Sequence, residues 1–250
     1  MRADSRTAEE AEDAVPDDDK KQAAHRALVD RVLSGEGRAS VEQRARAFSN
    51  DGLSPPLDAL IGKVALRPTQ VTEADFTTAK ALGLSEDQLF ELVFYRPDFH
   101  SARAKEFTHE AMRGPSSWSV GDRELMAAYV SKVNESAFCV GAHTATASQA
   151  YQDGPRVAAV LADLESAPVE EPLLATLRML GKLTAEGKLS TADMPEVLAA
   201  GVSPEQVEDA LAVCAAFNTT DRLADAFGFE VLSPEAFAAG AKYLLKRGYR

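Results

Sequence analysis

The chain has 250 residues, 27 of them Lys or Arg and 39 Asp or Glu, for a formal net charge of −12. That sign is repelled by phosphate backbones and anionic lipid, which argues against nucleic-acid and membrane partners. Cys139 and Cys214 are the two cysteines, too few to staple a chain of this length, so a secreted disulfide scaffold is excluded.

With 45% apolar and 26% charged residues, the composition is that of a globular protein with a sizeable core. No stretch approaches the roughly 18 apolar residues of a membrane-spanning helix. The first residues lack the basic-then-apolar pattern of a secretory leader, so a reducing cytoplasm is the expected compartment. Residues 1–21 read as a disordered acidic tail, rich in Asp and Glu with little large and apolar to bury. From about residue 22 onward, apolar residues recur at three- and four-residue spacing, and an all-α fold is expected.

Helix starts are marked along the chain. Ser85 precedes Gln88 by three, and Ser119 precedes Asp122 by three ahead of the stripe Leu125, Ala128, Tyr129 and Val133. Ser203-Pro204-Glu205-Gln206 combines an N-cap, a first-turn proline and a glutamine. Pro55-Pro56, Gly114-Pro115 and Gly154-Pro155 mark breaks between helices. An internal repeat runs through this pattern at an offset of 118, where Gly83 meets Gly201, Ser85 meets Ser203 and Gln88 meets Gln206. Each copy reads as a helix ending at Gly, one apolar residue, and a Ser that starts the next helix. Two related helical units are expected, residues 22–114 and 115–250.

The chemistry concentrates in residues 121–143. Asn134-Glu135 is expected to break a helix and Ser136 to cap the next, placing Cys139 in its first turn, where free backbone N–H groups and the helix dipole favour a thiolate. His143 follows Cys139 by four and Ser136 precedes it by three, so the three side chains share one helix face. A thiol with an imidazole one turn away makes a nucleophile–base pair. If the two helices pack antiparallel, Glu124 returns to orient His143 or relay its proton. The bland alternatives are a small buried hydrophobe for Cys139 and a surface acid for Glu124. Cys214 reads as core packing. His25, His100 and His109 stand at no ligand spacing, so no metal is expected, and nothing calls for a cofactor.

The segment Asp122–His143 resembles the signature of the AhpD-like alkylhydroperoxidase and carboxymuconolactone decarboxylase superfamily, with Glu124, Ser136, Cys139 and His143 at the signature spacings. Asn218-Thr219-Thr220-Asp221-Arg222-Leu223-Ala224-Asp225-Ala226-Phe227-Gly228-Phe229 resembles the ending of its peroxidase-related branch. The resemblance implies an all-α AhpD-like fold that assembles into trimers or hexamers. It implies reduction of hydroperoxides at Cys139 with His143 as base and Glu124 as proton relay, the oxidised site being returned by a lipoyl-type or other external thiol. In the redox branch, the position of Ser136 carries a resolving cysteine. Three readings follow: a one-cysteine peroxidase resolved from outside, a site that has lost redox activity or runs another reaction, or an engineered Cys→Ser change. A non-catalytic helical assembly or binding protein and a carboxymuconolactone-type decarboxylase are the alternatives.

Overall fold

A computed structural model describes residues 17–67, 70–93, 97–226 and 228–249, and the side chains at 17–19, 86, 90 and 97–103 lie outside the description, as does His100 with them. Among the described residues the regular structure is helical: α1 (Asp17–Ser34), α2 (Val41–Ser49), α3 (Leu57–Leu66), α4 (Glu73–Lys80), α5 (Glu86–Val93), α6 (Pro97–Arg113), α7 (Val120–Val133), α8 (Ala137–Tyr151), α9 (Gly154–Ala162), α10 (Glu171–Glu186), α11 (Asp193–Ala199), α12 (Pro204–Ala226) and α13 (Pro234–Arg247). The all-α expectation holds.

The N-terminal expectation needs correction at one end. Residues 1–16 of the acidic stretch lie outside the described residues, but Asp17–Lys21 open α1 rather than belonging to a tail. Lys21 is buried, and its ammonium pairs with Asp209 and donates to the Pro115 carbonyl at 2.7 Å. A cation with two partners at that depth is held by the fold.

The helix starts read from sequence are built by side chains. The Ser119 hydroxyl accepts from the Asp122 N–H while Asp122 accepts from the Ser119 N–H, closing a capping box on α7. Ser85 with Gln88 and Ser203 with Gln206 make the same reciprocal pair. The stretches at offset 118 are alike in detail. Gly83 and Gly201 take φ of +83° and +89°, a conformation a Cβ disfavours. Lys63 pairs with Asp75 and Lys182, 119 rather than 118 residues on, with Asp193, each at 2.6 Å.

A further correspondence runs at a different offset. Ser40-Val41-Glu42-Gln43-Arg44 starts α2 with a capping box, as Ser119-Val120-Gly121-Asp122-Arg123 starts α7. Arg44 and Arg123 are both buried and both donate to backbone carbonyls, Arg44 to Val32 and Ala39, Arg123 to Gly114. Buried carboxylates answer in both places. Glu91 accepts from the N–H groups of Arg38 and Ala39 ahead of α2. Asp209, 118 residues on, accepts from Ser116 ahead of α7.

The core has two parts. Leu60, Ile61, Val64, Leu89 and Leu92 gather under α2 to α5, where Leu223 and Ala226 of α12 also pack. The larger part centres on α7 and α12 with Leu125, Met126, Val130, Leu177, Val213 and Phe217. The sequence stripe on α7 understates its burial. Residues 123–128 are all buried, because α6, α8, α9, α10 and α12 surround this helix. It is an axial helix, apolar or paired on every side.

Candidate functional site

The turn Asn134-Glu135 links α7 to α8 and folds the two helices into a hairpin. Glu135 takes φ of +61°, which reverses the chain, and Asn134 donates to Asp221 at 2.8 Å. The hairpin brings Glu124, near the start of α7, onto His143 in the middle of α8. Glu124 Oε2 lies 2.7 Å from His143 Nδ1, and both side chains are buried, Glu124 completely. Glu124 is therefore no surface acid. Burial alone would push its carboxyl up, but hydrogen bonds and charges from His143 and Arg113 hold it below the ordinary value. An anionic Glu124 makes Nδ1–H the donor and leaves Nε2 as the ring's proton acceptor.

Two more groups complete that carboxylate. Arg113, the last residue of α6, donates to Oε1 at 2.6 Å. Tyr249 sends its hydroxyl to both oxygens, at 2.9 and 3.2 Å. Its phenol is pushed well up, first by burial and then by the Glu124 charge, so it stays a donor. Neither residue was picked out in the sequence. Both are ordinary residue types 11 and 125 positions from Glu124, and no local pattern marks them.

Cys139 and His143 line one cavity of about 600 Å³ between α6, α8, α12 and α13. Its walls are mostly apolar, with Phe138, Phe217, Phe237 and Leu232 among them, and Thr108, Thr220 and Lys105 add polar atoms. His143 meets the Phe217 ring edge-on at 4.3 Å between centroids. A cavity of this size and character takes a small organic molecule.

The thiol differs from expectation. Cys139 lies in the first turn of α8 as predicted, yet it is only 2% exposed, and its pKa is pushed strongly up. Burial is the main cause and the Asp221 carboxylate the next, with the Ser136 hydroxyl working the other way. Desolvation of a thiolate outweighs the helix-terminus effect, so Cys139 rests as a neutral thiol. Burial also raises Asp221, which accepts from Ser131 at 2.8 Å as well as from Asn134.

Ser136 also departs from its expected part. It stands at the N-cap position of α8, but its hydroxyl makes no cap hydrogen bond and donates instead to Asp225 at 2.8 Å. Asp221 and Asp225 both belong to the C-terminal motif of the sequence, which served there as a mark of resemblance and not as a source of site residues. Cys214 is buried on another surface of α12, accepting from Asn218 at 3.2 Å with the Thr184 hydroxyl at 3.6 Å. Among the described residues no three His, Cys, Asp or Glu side chains gather as a metal site, and no helix is long and apolar enough to cross a membrane.

No protein family and no curated protein matches the sequence. Solved structures do match the fold. An uncharacterized peroxidase-related protein from Silicibacter sp. TM1040 is 22% identical, spans 75% of this chain and 98% of its own, and superposes with a TM-score of 0.52. An uncharacterized peroxidase-related protein from Ralstonia eutropha JMP134, described as an alkylhydroperoxidase AhpD core, is 22% identical over 76% of this chain and 95% of its own, with a TM-score of 0.51. The chain has the all-α fold of these AhpD-like, peroxidase-related structures.

Proposed function

We propose that the cavity reduces an apolar organic hydroperoxide at Cys139, with His143 as base and Glu124 as the group that orients it. One observation carries the reading. A thiol and an imidazole one helical turn apart open on the same apolar cavity, and the imidazole's far nitrogen rests on a buried carboxylate. The description of the fold neighbours as peroxidase-related supports it.

In this reading His143 Nε2 takes the Cys139 proton as substrate enters. The thiolate sulfur attacks the distal peroxide oxygen, the O–O bond breaks, and the alkoxide leaves with the proton returned by His143. Cys139 becomes a sulfenic acid and the hydroperoxide an alcohol. Ser136 cannot close a disulfide, so an external thiol, lipoyl-type or other, condenses with the sulfenic acid and releases water. A second thiol then reduces the mixed disulfide and restores Cys139. The same reading takes residues 22–114 and 115–250 as two related units, and expects a homo-oligomer, trimer or hexamer, in a reducing cytoplasm.

The test follows consumption of cumene hydroperoxide with dithiothreitol as donor. Wild type turns over, forms a sulfenic acid at Cys139 detectable by mass spectrometry, and loses at least about 100-fold in rate on Cys139→Ser. Equal rates for wild type and Cys139→Ser overturn the reading.

The raised thiol and the oxygen at position 136 favour a second reading, in which Glu124 and His143 run acid–base chemistry on a small carbon acid without sulfur, as in decarboxylation. Activity of that kind persists in Cys139→Ser and is lost in His143→Gln.

A further inference from the structure

Glu124 is completely buried and holds three partners at once. His143 takes Oε2, Arg113 takes Oε1, and Tyr249 bridges both oxygens. The third partner arrives by a purpose-built route. The α13 helix ends at Arg247, and Gly248 turns the chain at φ of +67°. A Cβ on Gly248 would stand 2.6 Å from the His109 ring and 3.2 Å from Arg113 Cγ, so only glycine fits this turn without displacement. The Tyr249 N–H then donates to His109 Nδ1 at 3.3 Å, the Arg113 guanidinium lies 5.1 Å from the phenol ring centroid, and the ring lies nearly parallel to that of His143.

The geometry points to Tyr249 as a positioning residue of this site. Its hydroxyl takes a share of the Glu124 charge that His143 would otherwise receive, and so tunes the basicity of the imidazole facing the cavity. The physical basis is competition. A carboxylate that accepts three donors divides its negative charge among them, and removing one strengthens its hold on the others. The charged and titratable groups facing His143 or sharing its cavity are Glu124 from α7, Asp221 from α12, Cys139 from its own helix, Lys105 from α6, Tyr243 from α13 and the Tyr249 phenol beyond α13, with Arg113 of α6 acting through Glu124. Of these, Tyr249 is a neutral donor whose hydroxyl is removable with little change of shape.

This inference deepens the reading of Glu124 and His143 as the acid–base pair, and its test needs no turnover. The pH midpoint of the His143 ring resonances is followed by NMR in the full chain. Tyr249→Phe keeps the ring and loses the donor, and the midpoint is expected to rise by about half a pH unit or more. Site-specific 3-fluorotyrosine at 249 keeps the packing and makes the hydroxyl a stronger donor, and the midpoint is expected to fall. Opposite shifts in two variants that both stay folded are a signature that a purely structural tyrosine does not give. Midpoints that stay put in both variants, or move the same way, overturn the inference. Absence of hydroperoxide turnover in wild type would overturn the functional reading alone.

Discussion

The entry to α2 and the entry to α7 are built from the same parts and serve different ends. Both begin Ser-Val, close a capping box, and bury an arginine four residues after the cap against backbone carbonyls. Both face a buried carboxylate from a later helix, Glu91 on α5 and Asp209 on α12. One residue further on they part. Ala45 is exposed, whereas the matching Glu124 is sealed beneath His143, Arg113 and Tyr249. After α2 the chain goes directly to α3; after α7 it first makes α8 and α9, and α8 carries Cys139 and His143. The shared parts build the helix entry in both places. The unshared parts define the site.

The largest way to break this contrast is Glu124→Ala. It leaves Arg113 and the Tyr249 hydroxyl buried without their acceptor, and unfolding in urea is expected to show a loss of about 3–5 kcal/mol. Ala45→Asp at the matching exposed position is expected to change stability by no more than about 0.5 kcal/mol. A similar cost at both positions would mean that Glu124 is not held as described.

Next in size is the shared carboxylate. Glu91→Ala and Asp209→Ala are each expected to cost about 2–3 kcal/mol in the same assay, since each strands buried donors at a helix entry. A wide difference between the two would mean that one entry leans on its carboxylate and the other does not.

The smallest effect sharpens the contrast through pH. Burial raises the thiols of Cys139 and Cys214 and the phenols of Tyr151 and Tyr249. Groups raised in the folded state keep their protons there longer than in the unfolded chain. Their contribution to stability is therefore full below the ordinary thiol value of about 8.5 and is lost as pH rises beyond it. All four sit in α8, α12 or the turn after α13, and residues 40–93 contain no Cys or Tyr. Hydrogen exchange between pH 8 and 10, after correction for intrinsic rate, is expected to show α8 and α12 loosening before α3 to α5. Loosening in the reverse order would contradict the assignment.

Local devices were legible in the sequence and convergent ones were not. Ser119 with Asp122, Ser203 with Gln206, and the Gly83–Gly201 correspondence are spacing signals within one turn, and each appears in the structure as read. The Glu124–His143 contact follows from an antiparallel hairpin, which the break at Asn134-Glu135 suggests. Arg113 and Tyr249 converge from α6 and from beyond α13, and no spacing encodes such a meeting. The Ser-Val match at residues 40 and 119 is present in the letters but falls at an offset of 79 rather than 118, because α8 and α9 follow α7 while α2 leads straight to α3. Cys139 misled for an energetic reason. Its place in a helix's first turn favours a thiolate by a fraction of what burial beside Asp221 costs it.

The bond from Ser136 to Asp225 ties two positions together in inheritance. A serine hydroxyl is a full donor to a half-buried carboxylate, and a thiol is a weak one. A thiol at 136 would weaken the hydrogen bond to Asp225 Oδ1, beside an Oδ2 that is already buried without a partner. The two positions are expected to covary among relatives: serine beside aspartate, cysteine beside a residue that needs no donor.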